Sequence, residues 1–163
     1  MPLSISILTR LQHQHEALSE LTGGLTERQL KQRINPDKWS AFENIAHLAA
    51  YQPIFLARLE KIAAEDAPSF EPTFERYVAE KDPSFPDYLN IPLRSLLDLI
   101  SGGAAQITTR LTSLNDTELL RVAVHPKYGR LSVSQWTQFY LLHEAHHLFT
   151  IFMLTQELRT AQG

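Results

Sequence analysis

Hydrophobic residues recur every three or four positions along four stretches of this chain, and Pro, Gly and Asn punctuate the gaps between them. That pattern restricts the fold to amphipathic helices packed on one another. The first stretch runs from about Ser4 to Thr22, with Leu8, Leu11, His15, Leu18 and Thr22 in register, and Gly23-Gly24 ends it. Ser40 stands three residues before Glu43, a capping box that opens a second helix from about Ala41 to Ala64. Pro53 inside it removes a backbone donor and crowds the preceding turn, so a kink near Ala49 or a break into two helices is expected. A third helix spans about Leu93 to Leu114, with Gly102-Gly103 as a weak spot in its middle. The last starts near Ser134 and reaches about Arg159.

The connections differ in kind. From Glu65 to Pro92 the chain carries Pro68, Pro72, Pro83, Pro86 and Pro92 among aromatics, which predicts an irregular crossover with at most a short helix around Glu75–Glu80. Two short runs, Leu119–Val124 and Arg130–Val133, flank His125-Pro126-Lys127-Tyr128-Gly129 and predict a small hairpin. No repeat or composition shift divides the 163 residues, so 1–163 reads as a single domain. The expected fold is all-α: a four-helix bundle with a long crossover connection and a small β-hairpin before the last helix. Bundles of this kind build metal sites from side chains on facing helices.

Composition narrows the chemistry. With no cysteine, disulfides, thiolate metal sites and a cysteine nucleophile are excluded, and His and carboxylates remain as metal ligands. A net charge of −3, with Lys and Arg scattered, gives no electrostatic footprint for nucleic acid or an anionic membrane. Met1-Pro2-Leu3-Ser4-Ile5 lacks a basic start before an apolar run, and no stretch approaches bilayer-spanning length, so a soluble cytoplasmic protein is expected.

The last helix carries His143-Glu144-Ala145-His146-His147. Residues four apart lie one above the other on a helix, so His143 and His147 can close on one ion without bending the backbone. Taking Trp136, Tyr140, Thr150, Leu154 and Leu158 as the core stripe places both histidines within it, Glu144 on one flank, and His146 on the other toward Phe139 and Met153. His47 is the best third ligand, as the one histidine of the second helix, on the face of Tyr51, Ile54 and Phe55. The bland alternative is a set of buried imidazoles bonded to each other or to backbone.

Trp39-Ser40 with Asn44-Ile45-Ala46-His47-Leu48, then His125-Pro126 and Gly129 before Leu131-Ser132, then His143-Glu144-Ala145-His146-His147, together resemble the DinB/YfiT-like family of four-helix-bundle metalloenzymes. The family is unrelated to the DNA polymerase that shares the DinB name. The resemblance implies a metal held by one histidine of the second helix and two of the fourth, here His47, His143 and His147. It also implies zinc or nickel, frequent homodimers, and relatives that are thiol-cofactor transferases or isomerases or metal-dependent hydrolases.

Three neutral imidazoles leave an ion its full charge and an open coordination position, where bound water can reach a pKa of about 7 or a low-molecular-weight thiol can bind as thiolate. Either use needs a neighbouring group to handle the proton, and Glu43 and Glu144 are the candidates by sequence proximity, with solvated helix charge or a bond to a ligand histidine as their plainer reading. His15 is a candidate proton carrier or extra ligand, with a satisfied core histidine as the plainer reading. Tyr51 and Tyr140 are candidates for the pocket wall. A metal-dependent transferase or hydrolase acting on a small molecule is therefore expected. Three rival readings are weighed against it. His143-Glu144-x-x-His147 matches the zinc-protease pattern, but Thr150 and Met153 stand where the extended form needs Gly and His. A di-iron bundle needs a second E-x-x-H pair, which is absent. A binding or assembly module with a structural or absent metal predicts neither an open coordination position nor a polar-lined pocket.

Overall fold

The computed structural model describes residues 3–64 and 73–161. The part of the predicted crossover at 65–72, with Pro68 and Pro72, lies outside the described residues, as do Met1 and Pro2. Helix α1 (Ile5–His13), a single 3-10 turn (Gln14–Glu16) and α2 (Ala17–Thr22) together make the first arm of the bundle. A four-residue helix α3 (Glu27–Leu30) leads to α4 (Ala41–Ala63). After the crossover come a 3-10 turn (Ala79–Lys81), α5 (Phe85–Leu89), α6 (Leu93–Ser113) and α7 (Asp116–Leu119). A hairpin of β1 (Val122–His125) and β2 (Gly129–Ser132) precedes α8 (Val133–Thr160). This is the expected four-helix bundle, with α4 packed on both α6 and α8.

Local chemistry explains the boundaries. Ser40 and Glu43 form the capping box of α4, and Ser132 and Gln135 form one for α8. The guanidinium of Arg121 donates to the carbonyls of Ala63 and Ala64 at the end of α4, and Arg159 donates to those of Leu21 (2.9 Å) and Gly23 (3.0 Å) at the end of α2. Both satisfy carbonyls that a helix end leaves without partners. In the hairpin, His125 pairs with Gly129, whose φ of 71° is the left-handed conformation the tight return requires.

Three expectations need correction. Of the two outcomes expected at Pro53, the break into two helices does not occur: α4 continues from Ala41 to Ala63, because the packing of its buried faces outweighs one missing hydrogen bond. The short helix expected around Glu75–Glu80 is instead the 3-10 turn at Ala79–Lys81 followed by α5, which has Pro86 in its first turn, where a missing N–H costs nothing. On α8 the continuous buried stripe is Thr137, Leu141, Glu144, Leu148, Ile151, Thr155 and Leu158, while Thr150 and Leu154 are only half-buried. Trp136 and Tyr140 are buried as expected, because the first half of α8 is enclosed more widely. The polar Thr137, Glu144 and Thr155 hid this stripe from a reading of hydrophobic spacing.

The core divides along the bundle axis. One cluster holds Leu11, Phe55, Leu59, Ile107, Leu111 and Trp136, the other Leu18, Phe42, Ile45, Leu96, Ile100 and Ile151. Each fully buried side chain of this size contributes about 1.5–3 kcal/mol. On α4 the division falls between Ala50 and Tyr51, and on α8 between Leu141 and Leu148. His143 and His147 lie in that gap.

Candidate metal centre

The two helices bring His47, His143 and His147 together, with one ligand nitrogen from each lying within 4.8 Å of the others. His47 Nε2 and His143 Nε2 are 3.1 Å apart. Two imidazole ligands of one tetrahedral zinc ion, each about 2.0–2.1 Å from it, would be separated by roughly 3.3 Å. The third ring is oriented by an amide: His147 Nδ1 donates to Asn44 Oδ1 at 2.8 Å, which leaves His147 Nε2 as its free nitrogen. Asn44 is itself fixed by its Nδ2 bond to the Ser40 carbonyl at 2.8 Å.

The donor set fits a cation. The Nδ1 atoms of His47 and His143 are buried and have no hydrogen-bond partner among the described residues. Bonding of the two rings to each other through Nε2 would leave one Nδ1–H buried unpaired and ligation of one ion through both Nε2 atoms would leave two, at about 1–3 kcal/mol each. An ion would use both lone pairs that otherwise face one another, and the free energy of metal binding, on the order of 10 kcal/mol, exceeds that cost. Burial pushes all three imidazoles down to about 3, with a neighbouring histidine as the next cause in each case. They are therefore neutral near pH 7, the form in which imidazole binds metals.

The triad opens into a cavity of about 630 Å³. Rings crowd His47: Trp39 at 5.1 Å, Tyr77 at 5.7 Å, Tyr51 at 6.1 Å and Phe85 at 6.4 Å between centroids. Tyr51 also lies 4.6 Å from His143. These rings surround His47 with apolar surface and lower the local dielectric, which strengthens any electrostatic interaction made there. The lining also holds Arg58, His125, Lys127 and Phe139. A second groove, of about 820 Å³ between α4 and α6, contains no comparable convergence of ligand atoms among the described residues.

The two expected proton handlers have other partners. Glu43 completes the α4 capping box and is paired with Arg33, whose Nε lies at 2.9 Å and Nη2 at 2.5 Å. Burial pushes its carboxyl up, but the bonds from Arg33 and Ser40 outweigh burial and leave it below its ordinary value. Glu144 is buried and accepts from Gln14 Nε2 at 2.7 Å, on the side of the first arm. Neither carboxylate lines the cavity. Glu144 thus does not stand in the cavity as the zinc-protease reading requires, and among the described residues the carboxylate of the lining is Glu80.

Of the remaining candidates, Tyr51 lines the cavity, whereas Tyr140 stacks on Phe55 at 4.4 Å and accepts from Gln52. His15 sits half-buried in the 3-10 turn, outside the cluster, and His13 pairs with Glu16 at 3.0 Å. His146 lies on the cavity rim. Sequence reasoning missed Asn44, Arg58 and Tyr77 as parts of the site. Arg58 carried a signal, since His47, Tyr51, Ile54 and Arg58 follow one another along one face of α4. Tyr77 carried none, because it enters from the crossover.

A model of the DinB superfamily matches residues 10–151. The uncharacterised protein YuaE of Bacillus subtilis is 26% identical over 155 residues, covering 90% of this chain and 94% of its own. A protein of Oceanobacillus iheyensis, provisionally named a metal-dependent hydrolase, is 29% identical over 130 residues, or 80% of this chain and 73% of its own. The solved structure of YfiT from Bacillus subtilis, described as a probable metal-dependent hydrolase with an unusual four-helix bundle topology, superposes with a TM-score of 0.79 at 19% identity. That match covers 94% of this chain and 86% of YfiT. The superfamily match takes in all three clustered histidines and both helices that carry them up to Ile151, and on that match the chain belongs to the DinB superfamily.

Proposed function

We propose that His47, His143 and His147 hold a divalent ion, zinc or nickel, through their Nε2 atoms, and that the protein is a metal-dependent hydrolase of a small-molecule substrate. The observation that carries this reading is the convergence of three neutral imidazole nitrogens in the lining of a cavity walled by aromatic, basic and other polar side chains. Imidazole donors suit both metals. A cavity of about 630 Å³ falls in the range of sites for single small ligands. The names given to the Oceanobacillus relative and to YfiT support hydrolysis in particular.

When bound, such an ion supplies Lewis acidity toward a carbonyl or a coordinated water. The chain supplies the rest. Asn44 holds His147 in one tautomer, Trp39, Tyr77 and Phe85 keep water from the back of the triad, and Tyr51 presents a phenol beside His143. Because Tyr51 Oη accepts from Arg58 at 3.3 Å, its own hydrogen is free to donate toward a substrate oxygen.

The homodimer implied by the resemblance is part of the same proposal. Leu142, Phe149 and Met153 are exposed along one face of α8 and provide an apolar surface for it.

The test is hydrolysis of a panel of p-nitrophenyl esters and anilides by protein stripped with chelator and then reloaded with one equivalent of zinc or nickel. Turnover should disappear on stripping and return on reloading. Turnover that survives stripping would contradict the reading. A parallel arm with added glutathione, bacillithiol or mycothiol separates thiol transfer from hydrolysis, since transfer yields a thiol conjugate and hydrolysis does not.

A further inference from the structure

The cavity holds a second group of polar side chains besides the triad. Arg58 lies eleven residues after His47 on the same face of α4, roughly 16 Å along the helix axis. Its guanidinium reaches back, with Nη1 donating to Tyr51 Oη at 3.3 Å and Nη2 to the Glu75 carbonyl at 2.7 Å. The group is framed by the rings of Phe74 at 5.4 Å, Trp136 at 5.7 Å and Tyr51 at 5.9 Å. No carboxylate among the described residues pairs with it, so a half-buried cation keeps N–H donors to spare.

His125 lines the same cavity and also lies against Trp136, 5.2 Å from it between centroids. Its Nδ1 accepts from the backbone N–H groups of Lys127 (3.0 Å) and Tyr128 (3.1 Å). Two donors on Nδ1 fix the neutral tautomer with hydrogen on Nε2. The residue is 9% exposed, and its Nε2–H has no protein acceptor among the described residues. Burial, then Arg58 and Lys127, hold its pKa below the ordinary value, so it is a neutral donor rather than a cation. Lys127 and Arg76 add positive charge at the rim against the single carboxylate of the lining, Glu80.

We propose that Arg58 and His125 form an anion-binding subsite of the cavity, so that the substrate is a small molecule bearing a carboxylate or phosphate in addition to the bond cleaved at the triad. The planar guanidinium matches either set of oxygens with two parallel bonds, and the His125 Nε2–H adds a third donor. Three aromatic faces hold the guanidinium in place, so little ordering is needed on binding. The statement about the substrate rests on the hydrolase reading. The subsite itself does not.

Calorimetric titration of the metal-loaded protein with glutarate, and separately with inorganic phosphate, tests the subsite without reference to turnover. Affinity for the preferred anion should fall about ten- to hundredfold in Arg58→Met, as for loss of hydrogen bonds to a charged group, and by less in His125→Phe. Arg58→Lys keeps the charge and the apolar stem if the methionine variant does not fold, and it too should bind several-fold more weakly because the fork is lost. The better ligand of the two identifies the anion. Affinity unchanged in both Arg58 variants would mean that the anion sits on the metal, and would overturn the proposal. In the kinetic arm, Arg58→Met should lose at least tenfold more kcat/KM on p-nitrophenyl hemiglutarate than on p-nitrophenyl acetate, and equal losses would overturn the substrate assignment. If neither ester is hydrolysed by wild type while the binding difference holds, the subsite stands and the hydrolase reading falls.

Discussion

A single amide decides which nitrogen of His147 faces the cluster. Asn44 Oδ1 accepts from Nδ1 at 2.8 Å, so replacing it frees the ring to rotate and to protonate elsewhere. Asn44→Ala should weaken metal binding about ten- to hundredfold in competition with a chelating dye, the usual cost of losing such a support. Glu144 gives the opposite kind of prediction. Burial raises its carboxyl to about 7 from an ordinary 4.5, with the Gln14 bond and then Arg10 working against the rise. Between those values the folded state holds the proton more tightly than the unfolded chain. Its contribution to stability is therefore full below about pH 4.5 and is lost as the pH rises through 7. Glu144→Gln should stabilise the protein at pH 8, by up to about 2 kcal/mol in urea unfolding, and do little at pH 4. His143 and His147 were legible in the sequence because their spacing carries the chemistry, and His47 because it is the one histidine on its helix and stands where the family pattern has one. Glu144 was legible only as a neighbour, since nothing in the sequence shows that Gln14 waits for it across the bundle.

At the level of elements, periodicity exposed the four arms of the bundle, although the first, expected as one helix, is interrupted by the 3-10 turn at Gln14–Glu16, and a capping box marked where α4 begins. The four-residue helices α3 and α7 went unread, although Thr26 with Gln29 and Asn115 with Glu118 are capping boxes in their own right. Their apolar residues are too few to show a period. The glycine pair of α6 was read as a weakness, but its two members differ. A Cβ on Gly103 would lie 2.1 Å from Gln52 Oε1, and Gln52 is held by its bonds to the Ile100 carbonyl (3.0 Å) and Tyr140 Oη (3.3 Å). The small residue lets α4 and α6 approach each other. Gly103→Ala should cost about 1–3 kcal/mol in denaturant unfolding. Gly102 has open space where its Cβ would be, so Gly102→Ala should stabilise by up to about 1 kcal/mol.

Over the whole molecule, a polar centre sits at the junction of two apolar clusters, and its stability should follow the protonation of the triad. In the metal-free protein the three histidines are held at about 3 against an ordinary 6.5, so between these values the unfolded chain binds more protons. Their stabilising effect is complete above about pH 6.5 and is lost progressively as the pH falls toward 3. Thermal midpoints of the stripped protein should fall steeply below pH 6, whereas a His47→Leu variant, with one fewer buried imidazole to protonate, should show a shallower fall. If α8 carries a dimer, Phe149→Glu should halve the mass seen by sedimentation. The most direct measurement remains the metal content of the purified protein, by elemental analysis of wild type beside His47→Ala, His143→Ala and His147→Ala. Wild type should take up one zinc or nickel per chain, and each variant should lose most of it while remaining helical. Full retention of metal in all three variants would contradict the site.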